Sequence, residues 1–301
     1  MKLRRIKLSE DLVIYMESRI KMFNEELIHF IQTLEIPPHL KESMLYSIKA
    51  GGKRVRPLLV MASYEAYRKD VKKTIHTSAA LEMIHTYSLI HDDLPAMDDD
   101  DYRRGKLTNH KVFDEATAIL AGDSLLTYAF EIIAKDPLLT DKEKVYTIQK
   151  LSVASGPQGM IAGQTLDIEA EEKEITLDEL NQIHKNKTGA LIQFAVHIGA
   201  YFAGASEEQL SYLDKYSYYI GLLFQVQDDI LDITGDEERL GKPVGSDEIN
   251  AKNTYPSLLG LEGAKKYRDY YAKEAKNALD KANARQSFLY DLIKYVAHRD
   301  H

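Results

Sequence analysis

Two stretches of this 301-residue chain gather aspartates inside apolar, helix-patterned sequence, where carboxylates have no packing reason to be. The first reads His91-Asp92-Asp93-Leu94-Pro95-Ala96-Met97-Asp98 and continues through Asp101 to Arg103-Arg104-Gly105. At about 100° per residue, Asp92 and Asp98 stand about 600° apart, so a straight helix aims them at different faces. Pro95 supplies a break, and a bend there lets both carboxylates address one point. Hard oxygen donors with coordination positions left open suit magnesium shared with phosphate groups. The second stretch reads Phe224-Gln225-Val226-Gln227-Asp228-Asp229-Ile230-Leu231-Asp232. Asp228 and Asp232 lie one turn and about 40° apart, with Gln225 on the adjoining turn. Leu222, Leu223, Val226 and Ile230 supply the apolar packing. Like charges on one face repel, a cost that a bound cation offsets. Either cluster alone reads most simply as a solvated acidic helix end. Both share the form Asp-Asp followed by a spaced Asp, and together they point to metal.

Cations stand apart from these clusters. Gly51-Gly52-Lys53-Arg54-Val55-Arg56-Pro57 joins two glycines, which permit close backbone approach, to three cations able to meet a phosphate without metal. Alone, the segment reads equally well as a basic helix start. With Arg103-Arg104 just past the first acidic cluster, it points to a second anion site. The chain has no cysteine, so any metal is held by oxygen or imidazole. A formal net charge of -8 argues against nucleic-acid binding. It also looks odd for a binder of polyanions until the acid is located at Asp92 to Asp101 and Asp228 to Asp236, where divalent cations convert it into phosphate receptors.

These groups must be positioned by helices. Amphipathic patterns with three- and four-residue spacing run over Ser9 to Leu34, Thr74 to His91, Ala116 to Ala134, Leu177 to Ala203 and Glu207 to Asp232. Breaks fall at Pro37-Pro38, near Pro95, at Asp136-Pro137, at Gly204 and around Gly235 to Pro243. Alternating strands are absent, and the expectation is one all-α domain over residues 1–301. No apolar run reaches the roughly 20 residues that cross a bilayer, and charge follows Met1-Lys2-Leu3-Arg4-Arg5 where a signal core would stand. The expected location is the cytoplasm, with no membrane span.

The motifs resemble those of the short-chain trans-isoprenyl diphosphate synthases, and among these the bacterial farnesyl-producing type. The likeness rests on the Gly51 to Pro57 segment, Ile84-His85-Thr86-Tyr87-Ser88-Leu89-Ile90-His91-Asp92 onward to Asp98, Gly163-Gln164-Thr165-Leu166-Asp167, Lys187-Thr188-Gly189, and Phe224 to Asp232. It spans nearly the whole chain. It implies an isoprenoid-synthase fold, a helical bundle around a large central active-site cavity, as a homodimer. It also implies magnesium, three ions with bound diphosphate, manganese being the alternative metal. By position, Asp92, Asp98 and Asp228 would hold the metal, and Arg103, Lys187, Thr188, Gln225 and Lys242 would grip an allylic diphosphate. Gly52, Lys53, Arg56, His85 and Arg104 would serve isopentenyl diphosphate. Asp92, Asp93, Asp98, Arg103, Lys187 and Asp228 are the implied catalytic set.

The implied reaction ionises the allylic diphosphate and lets the double bond of isopentenyl diphosphate attack the carbocation, adding five carbons. The departed diphosphate takes the released proton, so no side chain is assigned as base. Tyr87, five residues before Asp92, and its neighbour Ser88 are the implied chain-length positions. A large ring more than one turn below the metal site floors the product tunnel, and with the longer spacing between Asp93 and Asp98 it implies (2E,6E)-farnesyl diphosphate. Leu107 stands where the family commonly has Pro, and Asp114 where it commonly has Gly. His91, and Tyr212, Tyr216, Tyr218 and Tyr219, are read as packing or, for the tyrosines, dimer surface. The rivals are a geranylgeranyl synthase, a class I terpene cyclase, which has no use for a second basic site, and a regulatory subunit, which would lose motif residues.

Overall fold

The structure, a computed structural model, describes residues 10–171, 173–235 and 253–298. The chain divides into two compact units, Tyr15–Met61 with Asp70–Gln149, and Met1–Ile14 with Ala62–Lys69 and Lys150–His301. Both are helical, as the periodicity predicts. Strand content among the described residues is one ribbon, β1 (Tyr102–Arg103) against β2 (Lys106–Leu107).

The first unit takes in most of α1 (Glu10–Gln32), α2 (Pro38–Lys49), the start of α3 (Val55–Glu65), α4 (Ile75–Asp92), α5 (Asn109–Val112), α6 (Glu115–Ala134) and most of α7 (Asp141–Ser155). Pro38 opens α2 where its missing N–H costs nothing. The core pair is α4 on α6, with Ala79, Ala80, Met83 and Ile84 of α4 and the small residues Ala118, Ala121, Gly122 and Ala129 of α6 all buried. At Gly122 the approach is close, since a Cβ there would stand 2.1 Å from His91 Nε2. His91 also meets the Ile119 carbonyl at 3.1 Å, so it packs as expected. Among the described residues α6 is long and apolar enough to cross a bilayer by length and composition. That corrects the expectation that no segment reaches this limit. Yet α6 carries Glu115, Asp123 and Glu131, and its small-residue face is buried on α4.

The second unit holds α8 (Met160–Glu169), α9 (Leu177–His184), α10 (Ala190–Phe202), α11 (Glu207–Thr234), α12 (Tyr255–Lys281) and α13 (Phe288–His298). Capping boxes at Thr176/Glu179, Ser206/Gln209 and Thr254/Ser257 start α9, α11 and α12. The periodicity predicts one helix from Leu177 to Ala203, whereas the structure interrupts it with a π-turn at Lys185–Gly189. Tyr216 is fully buried and donates to the Leu289 carbonyl at 3.0 Å, while Tyr218 and Tyr219 join Tyr270 and Tyr271 in an aromatic cluster.

Candidate active site

In the first unit the glycine-rich segment is organised by Arg54, which sits at φ 48° with 5% exposure. Its guanidinium donates to Asn24 Oδ1 at 2.9 Å, to Glu82 Oε1 at 2.6 Å and to the Ile48 carbonyl at 2.6 Å. Charge-assisted bonds of this kind fix a side chain in place. Arg54 is therefore a brace, which corrects the reading of three cations available to a phosphate. Lys53 and Arg56 are the half-buried cations of that segment.

Arg104 comes to this loop from the β ribbon. Arg104 and Gly105, at φ 55° and 72°, form the two-residue turn between β1 and β2, a geometry whose twist matches the strands. The Arg104 guanidinium bonds to the Gly51 carbonyl and lies where a Cβ on Gly52 would be, 2.7 Å from Nη1. With Gly52 at φ 139°, any residue bearing a Cβ would be strained there and would have to displace the Arg104 guanidinium. On α4, His85 is held well below the ordinary imidazole pKa by desolvation, reinforced by Arg56, Arg104, Arg103 and Arg54. A neutral imidazole among guanidiniums leaves the local field positive and still offers one N–H to an anion.

The first acidic motif follows directly. α4 ends at Asp92, ahead of Pro95, and the chain folds back so that the Asp98 N–H donates to the Asp92 carbonyl at 2.8 Å. Leu94 O accepts from the N–H groups of Met97 and Asp99 at 2.9 and 3.1 Å. The expected bend is present, and it brings the backbones of Asp92 and Asp98 together. Asp93 turns inward, 3% exposed, and accepts from Arg103 Nε and Nη2, both at 2.6 Å. Burial raises the Asp93 pKa, and Arg103 opposes that rise. Tyr87 is buried and packs edge-on to His91 at 5.7 Å, its hydroxyl pKa raised by burial and by Asp92. Ser88 Oγ donates to the His85 carbonyl at 3.0 Å.

In the second unit the π-turn carries Lys187 and Thr188. Such turns re-aim side chains and recur at functional sites. Two close approaches fit it in place: a Cβ on Gly163 of α8 would stand 2.0 Å from the Lys187 nitrogen, and one on Gly221 of α11 would stand 3.2 Å from Gly189 Cα. Lys187 Nζ donates to Asp167 Oδ2 at 2.6 Å, and Thr188 Oγ1 donates to Gln225 Oε1 at 3.1 Å. The structure thus joins Lys187, Thr188 and Gln225 into one surface. Asp167 closes the Gly163 to Asp167 motif, and a single Asp twenty residues from Lys187 in sequence does not announce its partner.

On α11, Asp228 is half-buried, whereas Asp229 and Asp232 are 4% and 2% exposed. Asp229 Oδ2 accepts from the Tyr255 N–H at 2.9 Å and so fixes the start of α12. Tyr255 is fully buried, bonds Asn181 Oδ1 at 2.5 Å and stacks on His184 at 5.8 Å. Burial pushes the His184 pKa down to about 4. Lys242 lies outside the described residues.

Among the described residues no group of three or more His, Asp or Glu side chains forms a ready-made metal cage. Asp92 and Asp98 on one compact turn of the first unit, and Asp228 on α11 of the second, carry hard oxygen donors. In each unit that donor type suits magnesium, which keeps waters and phosphate oxygens as ligands, rather than a closed structural zinc site.

Residues 37–290 match the polyprenyl synthetase family. The chain is 49% identical over 297 residues to the farnesyl diphosphate synthase of Bacillus subtilis (strain 168), covering 98% of this chain and 100% of that one. It is 50% identical over 277 residues to the farnesyl diphosphate synthase of Geobacillus stearothermophilus, covering 91% and 93%. The solved structure of an FPP/GFPP synthase from Zymomonas mobilis superposes with a TM-score of 0.82 at 34% identity, covering 95% of this chain and 99% of that one. The all-α architecture is accordingly the isoprenoid-synthase fold, and the chain belongs to the polyprenyl synthetase family.

Proposed function

We propose that the chain is a farnesyl diphosphate synthase, a trans-prenyltransferase that condenses isopentenyl diphosphate with dimethylallyl and then geranyl diphosphate. The observation that carries this reading is the divergence of two neighbours. Arg103 is drawn to Asp93 beside the first acidic motif, and Arg104 to the Gly51-Gly52 loop beside Lys53, Arg56 and His85. One enzyme with a metal-assisted and a metal-free diphosphate site joins two diphosphates; a cyclase needs only the first. Retention of every motif residue, Lys242 included, argues against a regulatory subunit, and the farnesyl-producing relatives favour fifteen carbons over the geranylgeranyl product.

Asp92, Asp98 and Asp228 are the residues that would hold magnesium, which when bound supplies electrophilic assistance to diphosphate departure. Arg103, Lys187, Thr188 and Gln225 orient the allylic diphosphate and stabilise its growing charge by hydrogen bonds. Lys53, Arg56, Arg104 and neutral His85 fix isopentenyl diphosphate so that its double bond faces the ionising carbon. No protein nucleophile is involved, and the proton lost after attack leaves on the departed diphosphate. Tyr87 closes the apolar path below Asp92. One domain over residues 1–301, a cytoplasmic location and a homodimer complete the reading. For the dimer, Ile119 and Leu120, 43% and 57% exposed on α6, and Val145, 67% exposed on α7, offer apolar surface.

The test is product analysis. Purified protein with magnesium, isopentenyl diphosphate and either dimethylallyl or geranyl diphosphate is expected to give a fifteen-carbon diphosphate, and no elongation would sink the reading. Tyr87→Ala is expected to lengthen the product; unchanged length removes the floor.

A further inference from the structure

The second unit contains a cavity of about 430 Å³ that none of the reaction residues lines. Gln182, Asn186, Ala190, Gln193 and His197 recur along one wall at three- and four-residue steps, a single face that continues from α9 through the π-turn into α10. Lys150 and Gln158 stand on the other wall, and Lys185 of the π-turn adds a second cation. The lining carboxylate, Asp214, is engaged by His197 Nδ1 at 2.9 Å. Val153, Ala154 and Phe194 give the space an apolar portion. A volume of this size, apolar surface and a few converging polar groups are what small-molecule sites share. Two lysines with several amide side chains select an anion that also takes hydrogen bonds.

The cavity shares its π-turn with the reaction site. Lys185 and Asn186 line the cavity, while the next two residues, Lys187 and Thr188, bond Asp167 and Gln225. The turn is backed by α8 at Gly163 and by α11 at Gly221, both in close backbone contact. A load on its cavity side therefore has few ways to relax except through Lys187 and Thr188. Close-packed elements of this kind pass from one discrete arrangement to another.

We propose that this cavity is an effector site for a small organic anion, one phosphate or carboxylate on a compact apolar body, that acts on diphosphate binding through the π-turn. Its coupling half rests on the reading of Lys187 and Thr188 as diphosphate ligands; its binding half does not. The test uses phenyl phosphate and benzoate as probes of the two anion types, titrated calorimetrically into the full chain with the diphosphate sites saturated by magnesium diphosphate. At least one probe is expected to bind, with affinity falling about tenfold or more in Lys185→Glu and falling also in Ala190→Trp, which takes up part of the space. The bound probe is expected to change magnesium diphosphate affinity by about fivefold or more, with the reciprocal effect on the probe. Absence of binding by both probes, binding untouched by Lys185→Glu, or unchanged diphosphate affinity would overturn the proposal. If magnesium diphosphate itself fails to bind, the functional reading falls, and the Lys185→Glu comparison still decides whether the cavity is a site.

Discussion

The basic end of the first unit and the π-turn of the second hold their cations in opposite ways. In the first, an arginine is sunk into the protein as a brace: Arg54 ties Asn24, Ile48 and Glu82 together, and the loop so fixed presents Lys53 and Arg56. In the second, the presented cation itself is tethered, with Lys187 held by Asp167 on a backbone distorted to reach it. The acidic motifs repeat the division of labour. Asp93 binds Arg103 and Asp229 binds the Tyr255 N–H, so the second aspartate of each pair is tied into the protein beside a less buried neighbour, the proposed metal ligand. On the proposed function, neighbours in one motif split into ligand and brace, and mutating the two should produce different kinds of damage.

The largest difference is expected between Arg54 and Arg56. Arg54→Ala leaves Glu82 buried without its partner and is expected to cost about 3–5 kcal/mol of stability. Arg56→Ala should leave the unfolding midpoint nearly unchanged and raise the KM for isopentenyl diphosphate. Equal loss of stability in both variants would break the distinction. In the second acidic motif, Asp228→Ala is expected to lower kcat by about 10²–10³-fold, as for loss of a group that stabilises transition-state charge. Asp229→Ala should instead lower stability by about 1–3 kcal/mol through the unpaired Tyr255 N–H. Denaturant unfolding and steady-state kinetics on the same preparations separate the two.

A pH effect belongs to the second unit. His184 is neutral when folded, with its pKa lowered to about 4, whereas the unfolded chain protonates it near the ordinary value. The unfolded state then binds the extra proton, so this stability is present above about pH 6.5 and is lost as pH falls toward 4, by about 3 kcal/mol. His184→Gln is expected to flatten that part of the stability profile, and a slope unchanged by the substitution removes the assignment.

The smallest effect is expected at Asp114, which stands where the family commonly has Gly. It lies at φ 138°, a region that side chains strain to occupy, and caps α6 by accepting from the Thr117 N–H and Oγ1 at 2.8 and 2.9 Å. Replacing a cap by glycine costs only a few tenths of a kcal/mol. Asp114→Gly is therefore expected to raise stability slightly, by less than about 1 kcal/mol, with product length unchanged. A clear loss in thermal unfolding would mean that the cap outweighs the strain.

Helix positions, the break after Asp92 and the residue types facing phosphate were legible in the sequence, because periodicity, proline and charge are local properties. Both acidic motifs and both basic segments could be read the same way. What tertiary structure alone decided is which member of each motif is braced against the protein. Arg54 and Arg56 are both arginines near one helix start, and it is the buried Glu82 and Asn24, distant in sequence, that make Arg54 the brace. The π-turn was hidden for a similar reason. Leu177 to Ala203 has an unbroken helical pattern, and the distortion arises where α8 and α11 come close at Gly163 and Gly221. Local spacing fixes which side chains share a face; only packing between distant segments fixes what that face meets.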